Sequence, residues 1–164
     1  MDELDVKIIK LLQENARVTA SDIASTVSLS VPAVSERLKK LETSGAIQQY
    51  TAIVNPVYFQ KTLMAIVFIS LDRPRFADIF AEFVKQQDDI LECHYLAGDF
   101  DYALKVVTEN TSTLQELLNR IKSVQGVQKT RTTVILSTAK NNYSVIPEDP
   151  AVRNHTNQAG KKNK

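Results

Sequence analysis

Hydrophobic positions recur at helical spacing through the first fifty residues, and the period then changes. In LDVKIIKLLQEN, Leu4, Ile8, Leu11 and Leu12 fall at i, i+4, i+7 and i+8, which predicts one amphipathic helix. Thr19 and Asp22 stand at capping-box spacing ahead of Ile23, Ala24 and Val27, a short helix with a small apolar face. Ala24 sits where two crossing helices approach closely, and Leu29 plugs the corner that follows. Ser30 suits an N-cap and Pro32 a first turn; Val31, Val34, Leu38 and Leu41 then repeat at helical spacing and are expected to face inward, with Gly45 as the C-terminal cap. Two short helices joined this tightly form a helix-turn-helix, whose second helix fits a DNA major groove. An ordinary helical bundle without DNA contact would show the same stripes.

From Leu63 the pattern is that of strands. LMAIVFISL is a continuous apolar run of strand length. Pro74 opens a helix carrying Phe76, Ile79, Phe80, Phe83 and Val84. ILECHYLAG and YALKVV are two strands flanking the turn Gly98-Asp99-Phe100-Asp101. A second helix presents Leu114, Leu117, Leu118 and Ile121, with Thr113 and Glu116 at capping-box spacing and Gly126 closing it; VQKTRTTVILS is the last strand. The order β-α-β-β-α-β predicts a ferredoxin-like α+β sandwich with both helices on one side of an antiparallel sheet. Both alternation sets of the first strand are apolar, Ala65, Val67 and Ile69 against Met64, Ile66 and Phe68. The uncovered face is therefore expected to pack on a second copy. The domains expected are 1–50 for the helix-turn-helix, 51–61 for a strand-like linker, 62–138 for the sandwich and 139–164 for a C-terminal segment, disordered towards its basic end.

Charge alters this picture in one respect. The first fifty residues carry six basic and seven acidic side chains, residues 51–137 nine and ten, and the remainder five and two. The helix-turn-helix is thus not basic overall; only Arg37 to Lys40 is locally positive. A nonspecific DNA coater is disfavoured, and useful affinity is expected from paired subunits. No apolar run approaches the roughly 18 residues of a membrane span, and no signal peptide opens the chain. One cysteine, Cys93, excludes an internal disulfide framework and any multi-cysteine metal site, so a reducing cytoplasm is the simplest setting. Cys93 and His94 are adjacent on a strand and point to opposite faces, His155 lies in the tail, and no P-loop, dinucleotide fingerprint, zinc-protease motif or nucleophile elbow occurs. Neither catalytic residues, nor a metal, nor a cofactor are expected.

A helix-turn-helix followed by β-α-β-β-α-β resembles the Lrp/AsnC family of feast/famine transcription regulators over residues 1 to about 146. The resemblance rests on LDVKIIKLLQENARVTASDIA, SLSVPAVSERLKKLETSGAI, ECHYLAGDFDYALKV and GVQKTRTTVILSTAK. The departures are Ser28, where the turn usually has glycine, at a cost of about 1 kcal/mol if a positive φ is needed, and Ala103 in a slot often filled by a larger aliphatic residue. The resemblance implies DNA binding by a dimer, assembly into tetramers or octamers, and an amino acid bound between dimers. By the same resemblance Asp101 would pair with the α-ammonium group. Gly98 and Asp99 would offer backbone amides to a carboxylate. Tyr95, Leu96, Ala97 and Tyr102 would line the pocket, with Thr133, Val134 and Ile135 on the last strand. G-D-F-D is equally ordinary hairpin chemistry.

On the DNA side, Ser35, Glu36, Arg37, Lys39 and Lys40 are left on the open faces of the second helix. Arg37 is the candidate for a guanine edge, and Ser35, Lys39 and Lys40 for phosphates. Val31, Pro32 and Ala33 begin the helix, within reach of a thymine methyl. Two alternatives stand beside a regulator: a DNA-organising protein with no small effector, and an enzyme like the sirohaem decarboxylases, which are similar to the Lrp/AsnC fold.

Overall fold

The computed structural model describes residues 1–148. The chain forms two compact units, one of Met1–Ile53 joined by the segment from Asn141, the other of Val54–Lys140. The part of the C-terminal segment beyond residue 148, with His155, lies outside the described residues; from 141 to 148 the chain has neither helix nor strand.

The first unit holds α1 (Glu3–Glu14), α2 (Ala20–Val27) and α3 (Val31–Thr43). Ile8, Ile23, Ala24, Val27, Val34 and Leu41 form its core, with Leu4, Leu11, Leu12, Leu29 and Leu38 packed against them. Thr19 accepts the Asp22 amide while Asp22 reaches back, so the expected capping box is present, and Ser30 accepts the Ala33 amide. Ser28 is left-handed at φ 55°, ψ 46°, the conformation in which its side chain is a liability. Gly45, at φ 74°, follows α3. Val31 departs from expectation: it is 44% exposed, because the helix begins there and its first turn projects beyond the core.

The second unit is a four-stranded antiparallel sheet of order β2-β3-β1-β4, built from β1 (Leu63–Leu71), β2 (Ile90–Tyr95), β3 (Tyr102–Thr108) and β4 (Val127–Val134). Helices α4 (Ala77–Lys85) and α5 (Thr111–Lys122) supply Phe80, Leu114, Leu117 and Ile121 to the core made with Ala65, Val67, Ile69, Leu104 and Val106. Three local expectations are revised. A 3₁₀ turn (Pro74–Phe76) precedes α4, and Ile79 faces solvent. Asn110 caps α5 and shares its capping box with Thr113, not Thr113 with Glu116, because the helix starts at Thr111. The linker is no strand: Asn55 accepts the Val57 amide and starts a 3₁₀ turn at Pro56–Phe59, where proline offers no amide to a ladder.

The sheet face away from the helices is also less apolar than expected. Registration places Ile66 between Lys105 and Thr133, and Phe68 between Ala103 and Arg131. Arg131 lies over both the Phe68 and Phe100 rings, at 4.6 and 4.8 Å, and Lys105 pairs with Glu92 at 2.8 Å. The apolar alternation of β1 is continued on β3 only by Val107 and Ala103, either side of Lys105, and not by Arg131 and Thr133 on β4, and long cationic side chains cover part of it.

Candidate nucleic-acid interface and effector turn

The open surface of the first unit is set by α3. Val34 and Leu41 turn inward, which leaves Val31, Pro32, Ser35, Glu36, Lys39 and Lys40 exposed and Ala33 half-buried. Apolar small groups thus stand at the helix start and two cations a turn and more beyond it. Asp2, Leu29, Ala33, Glu36 and Thr43 help to line a groove alongside.

Arg37 is placed differently from the expectation. Its Nη1 donates to Asp2 Oδ2 at 2.7 Å and to Asp5 Oδ1 at 2.6 Å, and the Asp5 side chain is only 4% exposed. The remaining oxygens are equally committed: Asp2 Oδ1 accepts the Asp5 amide at 2.8 Å and Asp5 Oδ2 the Asp2 amide at 2.9 Å. One carboxylate pair therefore caps α1 and holds α3 at once. The Asp5 amide, and then Arg37, pulls the Asp2 carboxyl below its usual value; Asp2, then Asp5, raises Arg37. Through Nη1 the guanidinium is a tie between two helices, which counts against the expected contact with a guanine edge. Sequence reading passed over this pair, although Asp2 and Asp5 have the same spacing as the capping box recognised at Thr19.

In the second unit the G-D-F-D turn is docked onto β1. The Asp101 amide donates to Ile69 O and the Leu71 amide to Asp101 Oδ2, at 2.8 and 2.7 Å, and the Leu96 amide donates to Asp101 O. Asp101 thus has a firm structural role. It also lines a cavity of about 260 Å³ together with Tyr95 and Tyr102, whose rings lie 5.2 Å apart. Burial, and after it the neighbouring Cys93, Tyr95, Asp101 and Asp78, pushes the Tyr102 phenol upward.

The other expected effector residues do not converge there. Leu96, Ala97, Gly98 and Asp99 are outside the cavity lining. Thr133 and Val134 end β4, two strands away from β3 and its turn, and the Ile135 amide donates to Met64 O just beyond. Within one chain the two groups stand apart because the sheet order inserts β1 between β3 and β4. Leu71, Arg73, Pro74 and Ala77 complete the cavity instead, a contribution from the end of β1 and the start of α4. His94 pairs with Glu92 at 3.2 Å on one sheet face, while Cys93, opposite Leu104, takes the other. No group of three or more metal-ligating side chains gathers among the described residues, and none of their helices is long and apolar enough to cross a membrane.

Comparisons with known proteins agree with both halves. Residues 1–42 match the AsnC-type helix-turn-helix domain and residues 64–145 the Lrp/AsnC ligand binding domain. The HTH-type transcriptional regulator FL11 of Pyrococcus abyssi is 34% identical over 85% of this chain and 92% of its own length. The leucine-responsive regulatory protein of Escherichia coli is 35% identical over 89% and 91%. A Neisseria meningitidis transcriptional regulator solved with L-methionine superposes with a TM-score of 0.84 at 30% identity, covering 88% of this chain and 96% of that one. A Mycobacterium tuberculosis feast or famine regulatory protein, also solved with L-methionine, gives 0.82 at 32%, covering 89% and 99%. These relatives are regulators, not enzymes. With identity above 30% across most of the chain and a family model matched in each half, this protein is a member of the Lrp/AsnC family of helix-turn-helix transcription regulators.

Proposed function

We propose that the chain binds a near-palindromic DNA site as a dimer and that an amino acid modulates this binding. The observation that carries the DNA half is α3, which buries Val34 and Leu41, packs Leu38 against the core and leaves Val31, Pro32, Ser35, Glu36, Lys39 and Lys40 exposed. Ser35, Lys39 and Lys40 hold phosphates and so fix position, while Val31, Pro32 and Ala33 meet base edges, including thymine methyls. Glu36, exposed among them, disfavours misplaced phosphates. Arg37 acts from behind, as the tie that sets the pitch of α3 against α1. Two such helices read half-sites about 34–36 Å apart. The dimer is built through the sheet face carrying Met64, Ile66 and Phe68, half-buried in the single chain. Higher assembly, to tetramers or octamers, brings several sites onto one particle, and the setting is the cytoplasm, where the DNA is.

The effector half rests on the cavity beside Asp101 and on Gly98. A Cβ added at Gly98 would meet nothing within 4 Å, and its φ is not left-handed. The fold has no need of glycine there, and its lack of a side chain leaves room for a close approach. L-methionine is the first compound to test, because two solved relatives carry it. In a dimer of dimers, Thr133, Val134 and Ile135 of a neighbouring copy complete the site. Genomic fragments selected by the protein, footprinted with and without each amino acid, test the whole reading. Protection in two blocks one duplex turn apart, altered by at least one amino acid, is expected. Uniform protection of every fragment, indifferent to all twenty, would overturn it in favour of a DNA organiser.

A further inference from the structure

The cavity at the start of α4 holds one charged side chain, Arg73, that the expected effector residues do not include. Of its lining, Asp101 supplies a carboxylate with Oδ2 held by the Leu71 amide. Among the described residues no donor is placed on its other oxygen, Oδ1. Arg73 supplies the opposite charge. Its one ion pair, Nε to Asp72 Oδ2, is long at 3.5 Å, and both side chains are more than half exposed. The planar fork of guanidinium donors is thus free to take a carboxylate bidentately. Leu71, Ala77 and the rings of Tyr95 and Tyr102 make the remaining wall apolar or aromatic. A volume of about 260 Å³ falls just below the roughly 300–1,000 Å³ of drug-sized sites, which limits the occupant to a single small molecule.

We infer that Arg73 is a specificity-determining residue of the effector site: it binds the α-carboxylate of a zwitterionic amino acid whose ammonium lies on Asp101 and whose side chain, apolar and of modest size, runs along Leu71 and Ala77. This deepens the effector reading above and rests on it. The proposal differs from one in which turn amides alone hold the carboxylate, because it makes a side chain of the β1–α4 connection answerable for recognising the acid group. Ala77, a small residue in the lining, sets how long an effector side chain fits. A residue with a longer side chain at that position would occupy the space itself.

The test is calorimetry on the full chain with each of the twenty L-amino acids, followed by the tightest binder and its α-carboxamide on wild type, Arg73→Gln, Arg73→Lys and Ala77→Leu. Circular dichroism confirms that each variant folds, which the exposure of Arg73 favours. Wild type is expected to lose about ten- to a hundredfold in affinity when acid becomes amide, the range of a charge-assisted hydrogen bond. Arg73→Gln is expected to bind the acid as weakly as wild type binds the amide, and to discriminate little between the two. Arg73→Lys restores part of the difference, and Ala77→Leu abolishes binding. If wild type binds an amino acid and Arg73→Gln keeps both its affinity and its preference for the acid, or Ala77→Leu binds normally, the assignment fails while the effector reading survives. If wild type binds none of the twenty, both fail together.

Discussion

At Ser28 and Arg37 a single side chain decides local geometry. Ser28 occupies the left-handed region that glycine enters without steric cost. Ser28→Gly is therefore expected to stabilise the helix-turn-helix by about 0.5–1 kcal/mol, seen as a higher urea midpoint with unchanged m-value. Arg37 has the opposite standing. Removing it strands two carboxylates, one of them buried. Breaking a buried pair costs about 3–5 kcal/mol, and the exposure of Asp2 and partial exposure of Arg37 reduce this to about 1–3 kcal/mol. Arg37→Ala should lower affinity for all DNA sequences in step with the loss of stability. A loss confined to one base pair, with the urea midpoint unmoved, would restore the guanine-edge assignment.

Among the elements, the joint between the entry to β4 and the 3₁₀ turn before α4 is tight. Gly126 has φ 90°, and a Cβ there would stand 2.2–2.4 Å from the Phe76 side chain. Gly126→Ala combines backbone strain with overpacking of an aromatic ring and is expected to cost about 2–4 kcal/mol, read by thermal unfolding. Nearly all elements were legible in the sequence, because stripes such as Ile8–Leu11–Leu12 and Leu114–Leu117–Ile121 declare period and face together. What stayed hidden was of another kind. The cap of α5 was misplaced by three residues, since Asn110 and Thr113 compete for the same role and only φ and ψ separate them. The effector cavity was half legible: the turn announced itself, but Arg73 and Ala77 lie some 25 residues away along the chain and meet it only through the β1–β3 pairing.

For the molecule as a whole, charge sets two measurable dependences. Lys39→Ala removes one phosphate partner, so its complexes should weaken uniformly across sequences and the salt slope should become shallower by about 1 per half-site. Gel shifts at two salt concentrations decide this. Stability should also fall in acid. Asp2, through the Asp5 amide and Arg37, and Glu92, through Lys105 and His94, ionise more readily when folded than in an ordinary chain. Their contribution is complete above the unfolded carboxylate pKa of about 4 and is lost as pH falls below it through the folded values. Urea midpoints followed from pH 7 to 3 should drop in that window, and Asp2→Asn should flatten the curve.

The doubled duty of Asp2 and Asp5 has a consequence for how the first unit opens. Fraying at the beginning of α1 would ordinarily be a cheap local fluctuation, independent of the rest. Here the same four oxygens serve two helices, so loosening one releases the other. Amide protons of the opening turn of α1 and of mid-α3 should then exchange with deuterium at a shared opening free energy, and Arg37→Ala should split them into a fast and a slow class.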